Sequence, residues 1–382
     1  LNAPLMPMYP CFPNLPKSEV ISMTYHVFPD LRALVIETPD PVFMCQKVPT
    51  AFQLTPTIVG MPHGVDEVAR LATYLGIQVP SPIEHYYDWP RDKVKWPEPF
   101  AHKKETAGFM LSHPNCFVLN DIGTSKTGTA LWAADYLMRE GKARCCLIVA
   151  PLSTLERVWG DTLYFHFTHR KFSVLHGSAE RRRKLLAQPR DFYILNHDGV
   201  CVIQKELAAR PDIDIVIIDE IAVYRNKQTA KWKVIESLIY PSKGASKPWV
   251  WGLTGKPIPN SPEDAYGQCR LITPTTVPKY FTQWRNMVME HQSTYVWTPR
   301  PEALKIVYEA MRPSIRFKRD ECLDLPGEIH QTRDVEMSAD QVKHYKDIMR
   351  ELYTEVQGGR VTAVNEGVKL SKLLQIACGV VY

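Results

Sequence analysis

The sequence predicts an α/β fold: a parallel sheet covered on both faces by helices, with a small accessory module before it and a mostly helical extension after it. Two observations carry this. Continuous apolar runs recur at "CFVLN", "ARCCLIVA", "FSVLHG", "DFYILN", "IDIVIIDE" and "WVWGL", and runs without polar alternation mark strands buried on both faces. Helical text such as "TALWAADYLMRE" and "AERRRKLLAQ" separates them, the alternation expected of a doubly wound sheet.

Taken in order, residues 1–22 are Pro-rich and aperiodic and predict a flexible leader, with Met23 as an alternative start before the strand-like "TYHVF". Residues 23–96 mix short runs ("LRALVIE", "DEVARLATYLG") with prolines and read as the accessory module. The α/β core spans 97–273. From 274 to 382 the strand signal fades into helical text ("VPKYFTQWRNMVME", "PEALKIVYEAM", "SADQVKHYKDIMRELYTEV"), broken by "RPSIRFKRDECLDLPGEIHQTRDVEMS", which reads as an extended linker or strand.

Bulk composition narrows the function classes. With 382 residues, 45% hydrophobic and 23% charged, the chain can bury two or three domain cores. A net charge of +5 permits a polyanionic partner without demanding one. The nine cysteines form no C-x-x-C pair, which argues against zinc and for a reducing compartment. No apolar stretch approaches the roughly 20 residues that span a bilayer, so a cytoplasmic protein without a membrane partner is expected.

In such sheets, ligands bind beyond the carboxyl ends of strands. After "CFVLN" come Gly123, Thr124, Ser125, Lys126 and Thr127, then a helix. A phosphate loop needs backbone N–H groups at a helix N-terminus, a lysine for the β/γ-phosphates and a hydroxyl for Mg²⁺. Lys126 and Thr127 fit the last two roles, while Ser125 carries a Cβ that disfavours positive φ. An isolated S-K-T can also be a plain helix cap. The strand "IDIVIIDE" delivers Asp219, suited to hold Mg²⁺, and Glu220, suited to orient or deprotonate water, although a "DE" turn is also common on surfaces. "WGLTGKPIPN" brings Thr254 and Gly255 to the same edge, where a hydroxyl and a tight turn can sense a γ-phosphate.

As an ordered set these segments resemble the motifs of superfamily-two helicases, most closely the Swi/Snf-type DNA translocases and their phage and prophage branch. "PEPFAHKKETAGFML" is similar to the adenine-side motif, "LNDIGTSKTGTAL" to Walker A, "LIVAPLSTLERVW" to motif Ia, "IIDEIAVYRN" to the DExx box and "GLTGKPIPNSPED" to motif III. "RPSIRFKRDECLDLP" resembles the segment that closes the first lobe. The resemblance implies a RecA-like P-loop NTPase lobe using ATP and Mg²⁺. It departs at four positions: Lys103 stands where the adenine-reading glutamine falls, Ser125 at a Walker glycine, Ala222 at the box histidine and Lys256 at the second threonine of T-G-T-P.

The resemblance further implies a groove for DNA, expected to be double-stranded, touching Ser153, Thr154, Asn196, His197 and Asn260, groups suited to phosphate contacts that do not read sequence. The basic runs "ERRRK" and "RPSIRFKR" could add salt-sensitive attraction, with a solvated helix face as the plain reading of the first. His197 also reads as a structural histidine. Packing is the expected role of Trp159 and Trp251, which with Tyr224 flank these loops. Translocases of this kind close a second lobe carrying arginines over ATP; nothing after Asn365 resembles it, so that lobe is expected in a longer form of the chain or in trans. Two other readings stay open: a nucleotide-sensing, DNA-binding module that does not hydrolyse, and the motor half of a restriction or nuclease system.

Overall fold

The computed structural model describes residues 24–89, 99–241, 246–293, 296–322, 331–351, 353–356, 359–362 and 366–379. The expected leader lies outside them. Strands β1 (Tyr25–Phe28), β2 (Ala33–Glu37), β3 (Phe52–Thr55) and β4 (Ile58–Pro62) form an antiparallel sheet in the order β1-β2-β4-β3. Its inward side chains, Leu34, Ile36, Val59 and Met61, meet Met44 and Val48 in one small core. Pro41 opens the helix Pro41–Lys47 and Asp40 accepts from the Phe43 N–H, pairing a preset φ with a carboxylate cap.

β5 (Asn115–Val118), β6 (Cys145–Ala150), β7 (Phe172–Val174), β8 (Phe192–Asn196), β9 (Ile213–Asp219) and β10 (Trp249–Leu253) fall on the six apolar runs. A hairpin of β11 (Met289–Ser293) and β12 (Val296–Pro299) follows, then the short β13 (Ser314–Ile315). β13 joins β5–β10 in a seven-stranded sheet of order β13-β5-β10-β9-β6-β8-β7, and every pair in it is parallel. The unbroken apolar runs have a direct cause in packing. Cys145, Leu147 and Val149 enter the core on one face of the sheet, while Cys146, Ile148 and Ala150 enter the core on the other. β9 divides its residues the same way, Val216 and Ile218 against Ile215 and Ile217. Both faces are covered, so neither can be polar.

The segment after Thr273 carries more strand than its helical text suggests. The helix Phe281–Val288 runs directly into β11, whose Glu290–Ser293 are exposed and therefore polar. The helix Ala339–Glu351 is followed by a second hairpin, β14 (Tyr353–Val356) with β15 (Gly359–Thr362). There the β-forming Tyr353, Thr354 and Val356 outweigh the helical periodicity. The chain divides into two compact units at Asp324/Leu325. The accessory module and the seven-stranded sheet share the first unit, with no division at 96/97. One junction between them is Tyr87, whose hydroxyl donates to buried Asp135 in the helix Lys126–Arg139 at 2.7 Å.

Candidate functional site

Strand register assembles the site. Leu253 of β10 lies opposite Val118 of β5 on one side and Asp219 of β9 on the other, so these three adjacent strands end level. Their continuations, Leu119–Ser125, Glu220 and Thr254–Gly255, meet at one edge. Gly255 fits because of its size: a Cβ there would lie 3.3 Å from Ile122 Cγ1 and 3.5 Å from its backbone nitrogen. The turn after β10 thus rests on the loop after β5.

That loop runs into the 14-residue helix Lys126–Arg139. Gly123 has φ +90 and Ser125 has φ +60, ψ 43. The sequence reading of Ser125 as a Cβ that disfavours positive φ is met by a serine that adopts it nonetheless. Lys126 Nζ donates to the carbonyls of Asn120 at 2.8 Å and Asp121 at 3.1 Å. Burial lowers the Lys126 pKa, and the carboxylates of Glu220, Asp219 and Asp121 pull it back up. The Thr124 hydroxyl donates to the Asp121 carbonyl at 2.8 Å, and Thr127 follows on the first helical turn.

The acidic pair sits across from the lysine. Burial raises the Asp219 pKa, and the adjacent Glu220 charge adds to that effect. Against it, the Trp159 indole N–H donates to Asp219 Oδ2 at 3.1 Å and the Glu220 N–H to Oδ1 at 3.1 Å. Glu220 has φ +50 and accepts from the Thr254 hydroxyl at 2.9 Å; the Lys256 N–H donates to that hydroxyl at 3.2 Å. These residues fit a magnesium nucleotide. A helix N-terminus with two positive-φ loop residues suits oxyanions, Lys126 supplies a cation, and Thr127 with Asp219 offers a hydroxyl and a carboxylate to a hard cation. Among the described residues no cluster of three His, Cys, Asp or Glu side chains could hold a metal alone, so phosphate oxygens and water would complete its shell.

Lys103 is half-buried on the first turn of the helix Ala101–Ser112, and burial lowers its pKa. Its neighbour His102, which sequence reasoning missed, is buried between the Phe100 and Phe317 rings at centroid distances of 5.7 and 5.8 Å. Burial lowers the His102 pKa too, with the Thr124 backbone acting the other way. Trp159 as a partner of Asp219 was also missed: a tryptophan nine residues after a strand gives no sign of where its N–H points.

The residues expected along a DNA groove divide into two groups. Ser153 is exposed and Thr154 partly so, both on the turn after β6, and Asn260 is exposed after β10. Asn196 and His197 are committed inward. Asn196 Oδ1 accepts from Arg182 at 2.8 Å. His197 is buried against the Tyr224 hydroxyl at 3.3 Å, and burial pushes its pKa down to about 4. Of the basic runs, Arg182 is buried and Arg183 pairs with Glu206, while Arg316 pairs with Asp121 of the lysine loop. Trp251 is fully buried, as its packing role requires.

The SNF2-related domain family matches residues 44–378. Protein p41 of Acyrthosiphon pisum secondary endosymbiont phage 1 is 24% identical over 302 residues, 76% of this chain and 65% of that protein. SWI/SNF-related matrix-associated actin-dependent regulator of chromatin subfamily A-like protein 1 of Xenopus laevis is 25% identical over 185 residues, 47% of this chain and 17% of that protein. The chain therefore spans less than two thirds of either relative. Among solved structures, the Sulfolobus solfataricus SWI2/SNF2 ATPase core in complex with dsDNA superposes with a TM-score of 0.47 at 19% identity, covering 73% of this chain and 57% of that one. The core domain of the same archaeal ATPase gives 0.46 at 20%, with 73% and 56% covered. With a match from residue 44 to residue 378, the chain belongs to the SNF2-related domain family.

Proposed function

We propose that this chain is the ATP-binding lobe of a DNA translocase, in which Mg-ATP hydrolysis drives movement along duplex DNA. The observation that carries the reading is the level ending of β5, β9 and β10, which gathers Lys126, Asp219, Glu220 and Thr254 at one sheet edge. Lys126 exchanges its loop carbonyls for β/γ-phosphate oxygens, within the cradle of Gly123, Thr124 and Ser125. Thr127 and Asp219 hold Mg²⁺, which when bound neutralises charge on the phosphates. Glu220 orients and deprotonates the attacking water. Because Thr254 donates to the same carboxylate, the turn after β10 registers a change at Glu220 and relays it towards Asn260. Lys103 lies on the base side.

Membership of the SNF2-related family and the motif resemblance support DNA as the partner. Exposed Ser153, Thr154 and Asn260 are its proposed backbone contacts, while Asn196 and His197 act as supports beneath them. A second lobe, in a longer form of the chain or in trans, supplies the arginines that stabilise transition-state charge, a contribution of about 10³–10⁵ in related enzymes.

The test is DNA-stimulated ATP hydrolysis by the chain with a second lobe supplied. Glu220→Gln is expected to abolish turnover, leaving no more than about 1% of the rate, while nucleotide binding persists; Lys126→Ala is expected to abolish both. Full activity in Glu220→Gln would remove Glu220 from its role. Tight ATP binding without turnover in the unaltered protein would favour the non-hydrolysing sensor, the reading that Ser125 and Ala222 favour most.

A further inference from the structure

One carboxylate ties the nucleotide loop to a segment almost two hundred residues away. Asp121 Oδ1 accepts from Arg316 Nη2 at 3.1 Å, and Oδ2 from the Arg319 N–H at 3.3 Å. Its own N–H donates to the Phe317 carbonyl at 3.0 Å. The neighbouring Asn120 Oδ1 accepts from the Phe317 N–H at 3.0 Å. Inside the loop, the Asp121 carbonyl takes the Thr124 hydroxyl and N–H, and shares Lys126 Nζ with the Asn120 carbonyl. Asp121 therefore faces outward to a fixed segment and inward to both sides of the lysine loop.

Four residues on, Ser125 sits at φ +60, a region that residues with a Cβ seldom occupy and keep only where their surroundings over-determine it. On its helical side Ser125 is held through its carbonyl, which accepts the Thr129 hydroxyl at 3.1 Å and N–H at 3.3 Å. On its other side the chain of restraint leads through Thr124 to Asp121.

We propose that Asp121, clamped by Arg316 and the Arg319 backbone, is a positioning residue for nucleotide binding: it imposes from outside the loop shape that glycine permits in loops of this type. An aspartate suits the task because it is acceptor-only and its two oxygens serve two separate donors. The inference rests on the nucleotide reading given above. It makes a demand that a general structural role does not: removing the clamp matters only while residue 125 resists positive φ. Glycine at 125 takes that conformation without penalty, so it makes the clamp dispensable.

The experiment titrates the chain with the fluorescent probe trinitrophenyl-ATP and Mg²⁺, using the unaltered protein, Lys126→Ala, Asp121→Asn, Arg316→Gln, Ser125→Gly and the two clamp variants each combined with Ser125→Gly. Expected are binding by the unaltered protein, loss of it in Lys126→Ala, and affinity about tenfold weaker in each clamp variant, a change worth about 1.4 kcal/mol. With Ser125→Gly present, each clamp variant is expected to bind within about threefold of Ser125→Gly alone. Unchanged affinity in the clamp variants, or weak binding that Ser125→Gly does not restore, overturns the proposal and leaves the nucleotide reading intact. Absent binding in the unaltered protein, or equal binding in Lys126→Ala, overturns the nucleotide reading and this inference with it. Should Asp121→Asn fail to fold by circular dichroism, Arg316→Gln decides the question from the other side of the pair.

Discussion

Single residues at this site place function against stability. Asp219 is buried and its pKa is raised, burial being the largest cause. With the folded pKa above the unfolded one, the charged carboxylate costs stability at every pH above the raised value, and the cost disappears below the ordinary carboxylate range near pH 4. Asp219→Asn keeps an oxygen for the Trp159 N–H, gives up the bond from the Glu220 N–H, and removes the buried charge, whose burial is the largest influence on this carboxyl. Its melting temperature at pH 7 is therefore expected to exceed that of the unaltered protein, with the gain shrinking as pH falls towards 4, although the substitution removes the proposed Mg²⁺ ligand. Thermal melts between pH 4 and 7 check this; a lower melting temperature at pH 7 would show that Asp219 stabilises the fold. Legibility at this scale follows chemistry. Lys126, Asp219, Glu220 and Thr254 were readable because strand ends deliver side chains to one edge. The Trp159 and Asp121 contacts were not, since they join residues far apart in sequence, Asp121 and Arg316 by 195 positions.

Among the elements, the helix Lys126–Arg139 has two duties. Its first turn carries Lys126 and Thr127 of the proposed nucleotide site, and its third carries Asp135, a fully buried carboxylate. Asp135 accepts from Tyr87 at 2.7 Å, His169 at 2.8 Å and Arg170 at 2.6 Å, and pairs with Arg139 at 2.8 Å. Burial alone would raise its pKa, but these donors outweigh burial and hold it below the ordinary value. The stability they contribute is present above the ordinary carboxylate pKa and is lost as pH falls through the lowered folded value. Asp135→Ala leaves Arg170, nearly buried, with Asp191 at 3.7 Å as its remaining carboxylate and is expected to cost about 3 kcal/mol, the lower end of the range for broken buried pairs, because Asp191 remains and Arg139 and His169 reach solvent. Urea unfolding at pH 7 measures it; a loss under about 1 kcal/mol would reduce the cluster to surface pairing. The seven parallel strands differ in how plainly the sequence announced them. Five carry apolar side chains to two cores at once and β7 packs Phe172 and Val174 against one of them, whereas β13 has two residues, Ser314 and Ile315, too few to show a period. The hairpin β11–β12 was hidden because its exposed Glu290, His291 and Gln292 do not read as a strand.

At the scale of the whole molecule, three of the four hydrophobic clusters among the described residues lie before Asp324. Among the described residues the fourth comprises Ile348, Leu373 and Ile376, with Tyr345 against it, and a segment below about 70 residues rarely supplies more than about 3–5 kcal/mol from a single core. A chain comprising residues 24–322 is expected to fold and melt cooperatively, and a chain of residues 325–382 to show no cooperative thermal transition by circular dichroism. A sharp transition in the short chain would mean that its small cluster suffices. The place of β13 in the sheet also has a consequence for synthesis on the ribosome. Asp121 receives Arg316 only after 195 further residues have been made, about 10–40 s at about 5–20 residues per second. Until then β5 is an uncovered edge and its loop lacks the clamp, so a nascent chain carries the lysine loop with Ser125 unsupported and, on the proposed reading, binds nucleotide about tenfold more weakly than the finished protein.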